Sequence, residues 1–280
     1  MKSQVFFIFV AIFCLVACEQ TEPEGKTKTH FSVSLSRYVS FSSGNLQYQA
    51  STNSWRFADN QYDVIGEDNV NVSESYDGWV DLFGWGTSGY NGRMPYMTSE
   101  KDLVYTETAA IAGTNYDWGI YNKILNDERS VGFWRALSAD EWYYLISERK
   151  DANKLNAWSE VNGVVGLIIL PDDCVLPNDV KFESVSNYGE DFEMVNIYSL
   201  EEWAKLEGVG AIFLPAAGQS IDKYVGRVNR TCFYWSSSFG AFDGTAAYFS
   251  CDTFGPYPFD DAASATYHNA FAVRLVRDVQ

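Results

Sequence analysis

Tyr234-Trp235-Ser236-Ser237-Ser238 and Phe271-Ala272-Val273-Arg274-Leu275-Val276-Arg277 bracket the stretch on which the fold turns. Inside it, along Ala247-Tyr248-Phe249-Ser250-Cys251-Asp252, a period of two reads as a strand. Alternation puts Ala247, Phe249 and Cys251 on one face and Tyr248, Ser250 and Asp252 on the other, and the second set is expected to meet solvent and ligand. The composition of the interior is unusual. From 236 to 272 there is no Lys, Glu, Gln, Met or Trp, in a chain that has 9 Trp and 4 Met. The types that do occur there (Phe, Ser, Tyr, Cys, Pro, His, Thr, Asn, Ala, Asp, Gly) all have codons ending in a pyrimidine.

Upstream, the same period of two recurs at Phe31, Val33 and Leu35, then at Leu46 and Tyr48, then at Trp55 and Phe57. Polar residues 51–54 between the last two runs predict a hairpin. Residues 64–92 are rich in Gly, Asp, Ser and aromatics and read as a long ordered loop pinned by Trp79, Phe83 and Trp85. Two helix starts share one signature: Ser138 and Ser199 stand three residues before Glu141 and Glu202, the capping-box spacing, with Trp142 and Trp203 directly behind. Trp142, Leu145 and Ile146 share one face, as do Trp203 and Leu206, and Gly208 marks a stop. Residues 163–170 and 208–214 are short apolar runs, each closed by a proline, and read as buried strands. No repeat of solenoid length is present.

The first residues carry an address. Lys2, the apolar run 5–13 and Leu15-Val16-Ala17-Cys18 read as a lipoprotein signal over 1–17 with Cys18 as the lipidated residue. Residues 18–29 are polar and acidic and read as a tether to the membrane, leaving 30–280 as one domain. A formal charge of -17 argues against nucleic acid as a partner. With Cys14 in the signal and Cys18 lipidated, Cys174, Cys232 and Cys251 remain of 5 cysteines, an odd number that allows one disulfide at most and matches no zinc pattern.

Trp134-Arg135-Ala136-Leu137-Ser138, Glu141-Trp142, Gly166-Leu167-Ile168-Ile169-Leu170-Pro171, Ala211-Ile212-Phe213-Leu214-Pro215-Ala216-Ala217-Gly218, Tyr234-Trp235-Ser236-Ser237 and Val273-Arg274-Leu275-Val276 together resemble the Fibrobacter succinogenes major paralogous domain. The resemblance spans roughly residues 114–278. It implies a C-type-lectin-like fold of the branch that also holds the formylglycine-generating enzymes: α+β, with two short helices, a twisted antiparallel sheet and much irregular loop. Separately, the alphabet of 236–272 resembles that of variable proteins of diversity-generating retroelements, in which mutated template adenines turn Asn-type codons into the pyrimidine-ending set. That implies a scaffold at Tyr234-Trp235-Ser236-Ser237 and Val273-Arg274 and a varied binding surface between them.

Enzyme chemistry finds little support. Cys232 and Cys251 are far apart in sequence and match no copper-binding motif, so the activity of the formylglycine branch is not carried over. His30 and His268 are the chain's 2 histidines, and neither is placed for a Ser-His-Asp site. The Trp-Asn-Asp and Glu-Pro-Asn motifs of calcium lectins are absent, so no metal or cofactor is expected. Trp55, Trp79, Trp85, Trp118, Trp134, Trp142, Trp203 and Trp235 read as core rather than as sugar platforms. The expected function is ligand binding without chemistry, by a surface-exposed, outer-membrane lipoprotein whose ligand is an extracellular protein or glycan. The contact groups would be Phe239, Phe242, Tyr248, Phe254, Tyr257, Phe259, Tyr267 and His268, with Asp243, Asp252, Asp260, Asp261 and Asn269 as polar partners. Rigid aromatics among small polar groups are what adaptable paratopes use. A structural surface lipoprotein of fixed sequence, or an enzyme on the formylglycine scaffold, are the alternatives.

Overall fold

The computed structural model describes residues 29–71, 73–103, 109–184, 188–257 and 264–279. The expected signal, Cys18 and all of the tether before Thr29 lie outside the described residues, as do Phe259, Asp260 and Asp261. In chain order the first strands are β1 (Phe31–Ser32), β2 (Tyr38–Phe41), β3 (Leu46–Gln49), β4 (Ser54–Phe57) and β5 (Arg135–Ala136). Next come β6 (Asn156–Val161), β7 (Val164–Ile169), β8 (Ile197–Tyr198), β9 (Ile212–Pro215), β10 (Gln219–Ile221) and β11 (Tyr224–Gly226). The last are β12 (Cys232–Phe239), β13 (Thr245–Asp252), β14 (Gly255–Tyr257), β15 (Ser264–Thr266) and β16 (Leu275–Val279). The α-helices are α1 (Trp118–Tyr121), α2 (Ala139–Tyr143) and α3 (Leu200–Gly208).

The fold is α+β, mostly sheet with a few short helices. Two sheets have the orders β1-β2-β16-β5 and β8-β6-β7-β9, a third is β12-β13 with β14 and β15 both paired to β13, and β3-β4 and β10-β11 are two-stranded ribbons. The hairpin expected around 51–54 is β3-β4, with Leu46 opposite Phe57 and Tyr48 opposite Trp55. The echoing runs 163–170 and 208–214 supply β7 and β9, which pair antiparallel with each other. Both capping boxes form: the Ser138 and Ser199 side chains accept from the Glu141 and Glu202 backbone N–H groups, and each Glu side chain accepts from its serine's N–H. α2 then runs into a single π-turn, 144–148, closed by Arg149 N donating to Tyr144 O. The loop 64–92 is pinned through Val80, bridged to Tyr48, and Phe83, bridged to Phe271, with Trp85 buried beneath.

What organises the molecule is a wall between two cores. Cys232, Tyr234, Phe249, Cys251, Ala270, Ala272 and Val276 face one core with Trp142, Trp158 and Leu167. Phe233, Trp235, Ala246, Phe271, Val273 and Leu275 face the other with Trp55, Phe83 and Trp118. Strands buried on both faces read as continuous apolar runs, which is why Cys232-Phe233-Tyr234-Trp235 and 270–276 show no polar alternation. The exception is Arg274, 2% exposed, whose guanidinium donates to the side-chain oxygens of Asn45 and Gln61 instead of a carboxylate. Burial lowers its pKa to about 10, so it stays charged at neutral pH. Tyr234 closes the same cluster, its hydroxyl accepting from Asn45 Nδ2 at 3.0 Å and donating to Pro215 O at 3.0 Å.

The two-sided wall corrects one expectation. Ser250 is buried, and Tyr248 is half-buried, with its ring 5.0 Å from Phe271, 5.9 Å from Phe233 and 6.4 Å from Trp235. The second face of β13 therefore packs on aromatics for most of its length and does not lie open to solvent.

Candidate functional site

Aromatic and polar groups gather where the β12-β13 hairpin turns. β12 departs from regular register between Trp235 and Phe239. Inside that bulge the Ser236 hydroxyl donates to Ala247 O at 2.7 Å and accepts from Ser238 N at 3.1 Å, while Ser238 Oγ accepts from Ala139 N at the start of α2. Ser237 exchanges backbone bonds outward, its N donating to Leu137 O and its O accepting from Ile111 N. A bulge bends its strand and re-aims the residues after it, and small hydroxyl side chains supply the bonds that the broken ladder loses.

Beyond the bulge lies the turn 240–244. Gly240 N donates to Thr245 O at 2.9 Å, Ala241 N to Ser264 Oγ at 2.8 Å, and Thr245 Oγ1 to Phe242 O at 2.6 Å. A Cβ at Gly240 would stand 2.3 Å from Thr245 Oγ1, so the turn closes only with glycine there. Phe242 is left 67% exposed at the tip beside exposed Asp243. The neighbouring turn 266–269 is tied to it by Tyr267 N donating to Gly244 O, and is closed by Asn269 N donating to Thr266 O at 3.0 Å. Thr266 Oγ1 lies 3.3 Å from both His268 Nε2 and Asn269 Oδ1, so the half-buried His268 and Asn269 are held on the rim.

Under these turns the floor is rigid. Tyr267 is only 3% exposed and stacks on Trp85 at 4.9 Å and 14°, and the Trp85 indole donates to Ser236 O at 2.8 Å. Trp85 N also donates to Tyr267 O at 2.8 Å. Tyr267, expected as a contact group, is thus part of the support, and half-buried Phe239 leans toward it with ring centres 6.3 Å apart.

The site also contains an element that sequence reasoning missed. The β10-β11 ribbon adjoins the 266–269 turn because Ser220 and Ala270 exchange both backbone bonds, at 3.0 and 2.7 Å. Its tip is fixed by Asp222 N donating to Thr98 O and Thr98 Oγ1 to Asp222 O. Tyr224 stands 70% exposed there, with Ile221 beside it as its cross-strand partner. The signal was legible: Asp222-Lys223 between Ile221 and Tyr224 is a two-residue turn, and Asp222 takes the positive φ of 53° that such turns need.

The remaining expected residues lie elsewhere. β13 is 8 residues long, so at about 3.4 Å per residue its ends stand roughly 24 Å apart. Asp252, Phe254 and Tyr257 sit at the far end, where Asp252 Oδ1 accepts from Phe254 N at 2.8 Å and Gly255 packs on Tyr188. Phe254, 56% exposed, and Tyr257 are surface groups, but they form a second patch and do not share a contact surface with Phe242.

Several other chemistry-bearing groups are matched or sealed, while Cys174 is a half-buried free thiol. A cavity of about 460 Å³ beside β1 is lined by His30, Ser32, Tyr38, Lys150, Lys154 and Cys174 among others. Its Asp172 is already bound by Arg149, with Nη1 at 2.9 Å, and by Ser32 N, and its Lys154 is paired with Asp151 at 2.8 Å. Cys232 and Cys251, distant in sequence, face each other across β12 and β13, both fully buried. Burial pushes both thiols up, so neither is a ready nucleophile or metal ligand. Among the described residues no cluster of three or more His, Cys, Asp or Glu is placed to hold a metal ion, and no helix is long and apolar enough to cross a membrane. No family model, curated protein or solved structure matches the chain.

Proposed function

We propose that the chain is a surface-displayed, outer-membrane lipoprotein, anchored through Cys18, whose C-type-lectin-like domain binds an extracellular protein or glycan without performing chemistry. One observation carries this reading. Phe242, Asp243, His268 and Asn269, with Tyr224 on the adjoining ribbon, sit on short turns at one end of the molecule above the buried Trp85-Tyr267 stack. Exposed and half-buried side chains of mixed polarity on a rigid floor suit recognition, because the aromatics supply contact area at low entropic cost and the floor need not reorganise. Asp172 is already bound by Arg149, and the Cys232 and Cys251 thiols are buried. The restricted alphabet of 236–272 supports a surface diversified by a retroelement at exposed and rim positions such as 242, 243, 268 and 269, whereas Ala246, Phe249 and Cys251 of the same segment face the two cores.

Sequencing the gene and its flanking kilobases in many cells of one lineage tests this. Substitutions confined to codons 238–269, at positions matching adenines of a nearby near-identical repeat, are the expected result. An invariant segment without such a repeat would remove the diversification and leave a surface domain of fixed sequence.

A further inference from the structure

We propose that Cys232 and Cys251 are a cross-linking site: oxidation joins them in an intrachain disulfide that fastens β12 to β13, and Cys174 is left as a free thiol. The register makes them direct partners, so their side chains leave the same face of the ladder, into the core that holds Trp142 and Phe249. The type of pair is set by the neighbouring bonds. Trp235 N donates to Ala272 O and Phe233 O accepts from Ala272 N, so the odd-numbered residues of β12 turn their peptide groups away from β13. The even-numbered ones, Cys232 among them, turn theirs toward it, and Cys232 with Cys251 is a hydrogen-bonded pair. Such pairs hold their Cα atoms about 5.5 Å apart, inside the roughly 4.4–6.8 Å that a disulfide spans. Cys174, on the loop after β7 and outside this core cluster, has no cysteine opposite it in any ladder among the described residues.

The oxidant is a disulfide, either a small molecule such as oxidised glutathione or a protein. One cysteine thiolate attacks it, releasing one thiol and forming a mixed disulfide. The second cysteine thiolate attacks the protein sulfur of that bond and releases the other thiol. Two protein thiols give up two electrons and two protons, and the oxidant leaves as two thiols. Both sulfurs are sealed from solvent in the folded chain, so the exchange belongs to folding, before the core closes, and the completed protein resists it.

The test is to refold the full chain from reductant and denaturant in a glutathione redox buffer, alkylate it under denaturing conditions and map its peptides. The expected map links Cys232 to Cys251 and carries the alkyl group on Cys174; oxidised glutathione added to the already folded, reduced protein gives no link. The linked form unfolds at higher denaturant than the reduced one, and Cys232→Ser abolishes both the link and the shift. Refolding can fail by aggregation, so the same map is made on full chain exported to a bacterial periplasm and trapped with acid. Alkylated Cys232 and Cys251 in protein that resists proteolysis as the reduced fold does, or Cys174 in the linked peptide, would overturn the proposal.

Discussion

Two carboxyl groups are fully buried with no salt bridge among the described residues, Arg135 lowering the pKa of Asp117 only as the smallest of its influences. Asp81 is fully buried and bound by Asn69 and by Ile65 N, and Asp117 is fully buried, accepting from Gly119 N and Ala136 N. Desolvation outweighs these bonds and raises both to about 6. In the unfolded chain each titrates near 4. A folded pKa above the unfolded one means that the native state binds more protons between the two values. Its contribution to stability is complete below about pH 4 and is lost as pH rises through 6. At about 1.4 kcal/mol per unit, each group accounts for roughly 3 kcal/mol at most across that window. The protein is therefore expected to melt at higher temperature at pH 5 than at pH 7.5, and Asp81→Asn is expected to flatten that slope; a profile unchanged by the substitution would show that Asp81 contributes nothing to it, leaving Asp117 and the net charge of -17. On the rim the expectation is opposite in kind. Changing Phe242, Asp243, His268 and Asn269 together to Ala alters stability by no more than about 0.5 kcal/mol per position by chemical denaturation, as surface sites do, while binding is lost. A collapse of the fold would place those residues in the core.

At the level of elements, what holds a sheet together can be as small as a missing methyl. A Cβ on Gly166 of β7 would stand 2.4 Å from Leu214 O and 2.6 Å from the Phe213 ring on β9, so Gly166→Ala must push two paired strands apart. The expected cost is about 1–3 kcal/mol, the range for overpacking a tight interior, read as a lower denaturation midpoint. Removing either cap by Ser138→Ala or Ser199→Ala costs about 1 kcal/mol by the same measurement. Caps of this kind were legible in the sequence because a box needs only residues three apart, and so was the β3-β4 hairpin, whose strands and turn are contiguous. The covered face of β13 was not. Alternation tells which residues share a face but not what covers it, and here Phe233, Trp235 and Phe271, brought in from two other segments, cover the face that carries Tyr248. Tyr267 belongs with the same difficulty: only the arrival of Trp85 from a distant loop makes it a floor. The separation of Phe242 from Phe254 is a matter of strand length and could have been counted.

For the molecule as a whole, the arrangement of the sheet β1-β2-β16-β5 sets the terms. β16, the last strand, lies between β2 and β5, with Arg277 opposite Ser40 and Val276 opposite both Phe41 and Arg135. Across that sheet Arg135 binds Glu141 and Asp278, and Arg37 reaches the same two acids, so the ends of the domain and the start of α2 share one ionic cluster. Deleting residues 275–280 removes the strand that joins β2 to β5 and opens both cores along Leu275 and Val276. The shortened chain is expected to be digested rapidly by protease under conditions that leave the full chain intact. A chain halted before residue 275 lacks the strand that joins β2 to β5. All three stop codons end in a purine. A segment written only in pyrimidine-ending codons, as the proposed diversification requires, can therefore vary at its exposed positions without halting the ribosome before it reaches β16.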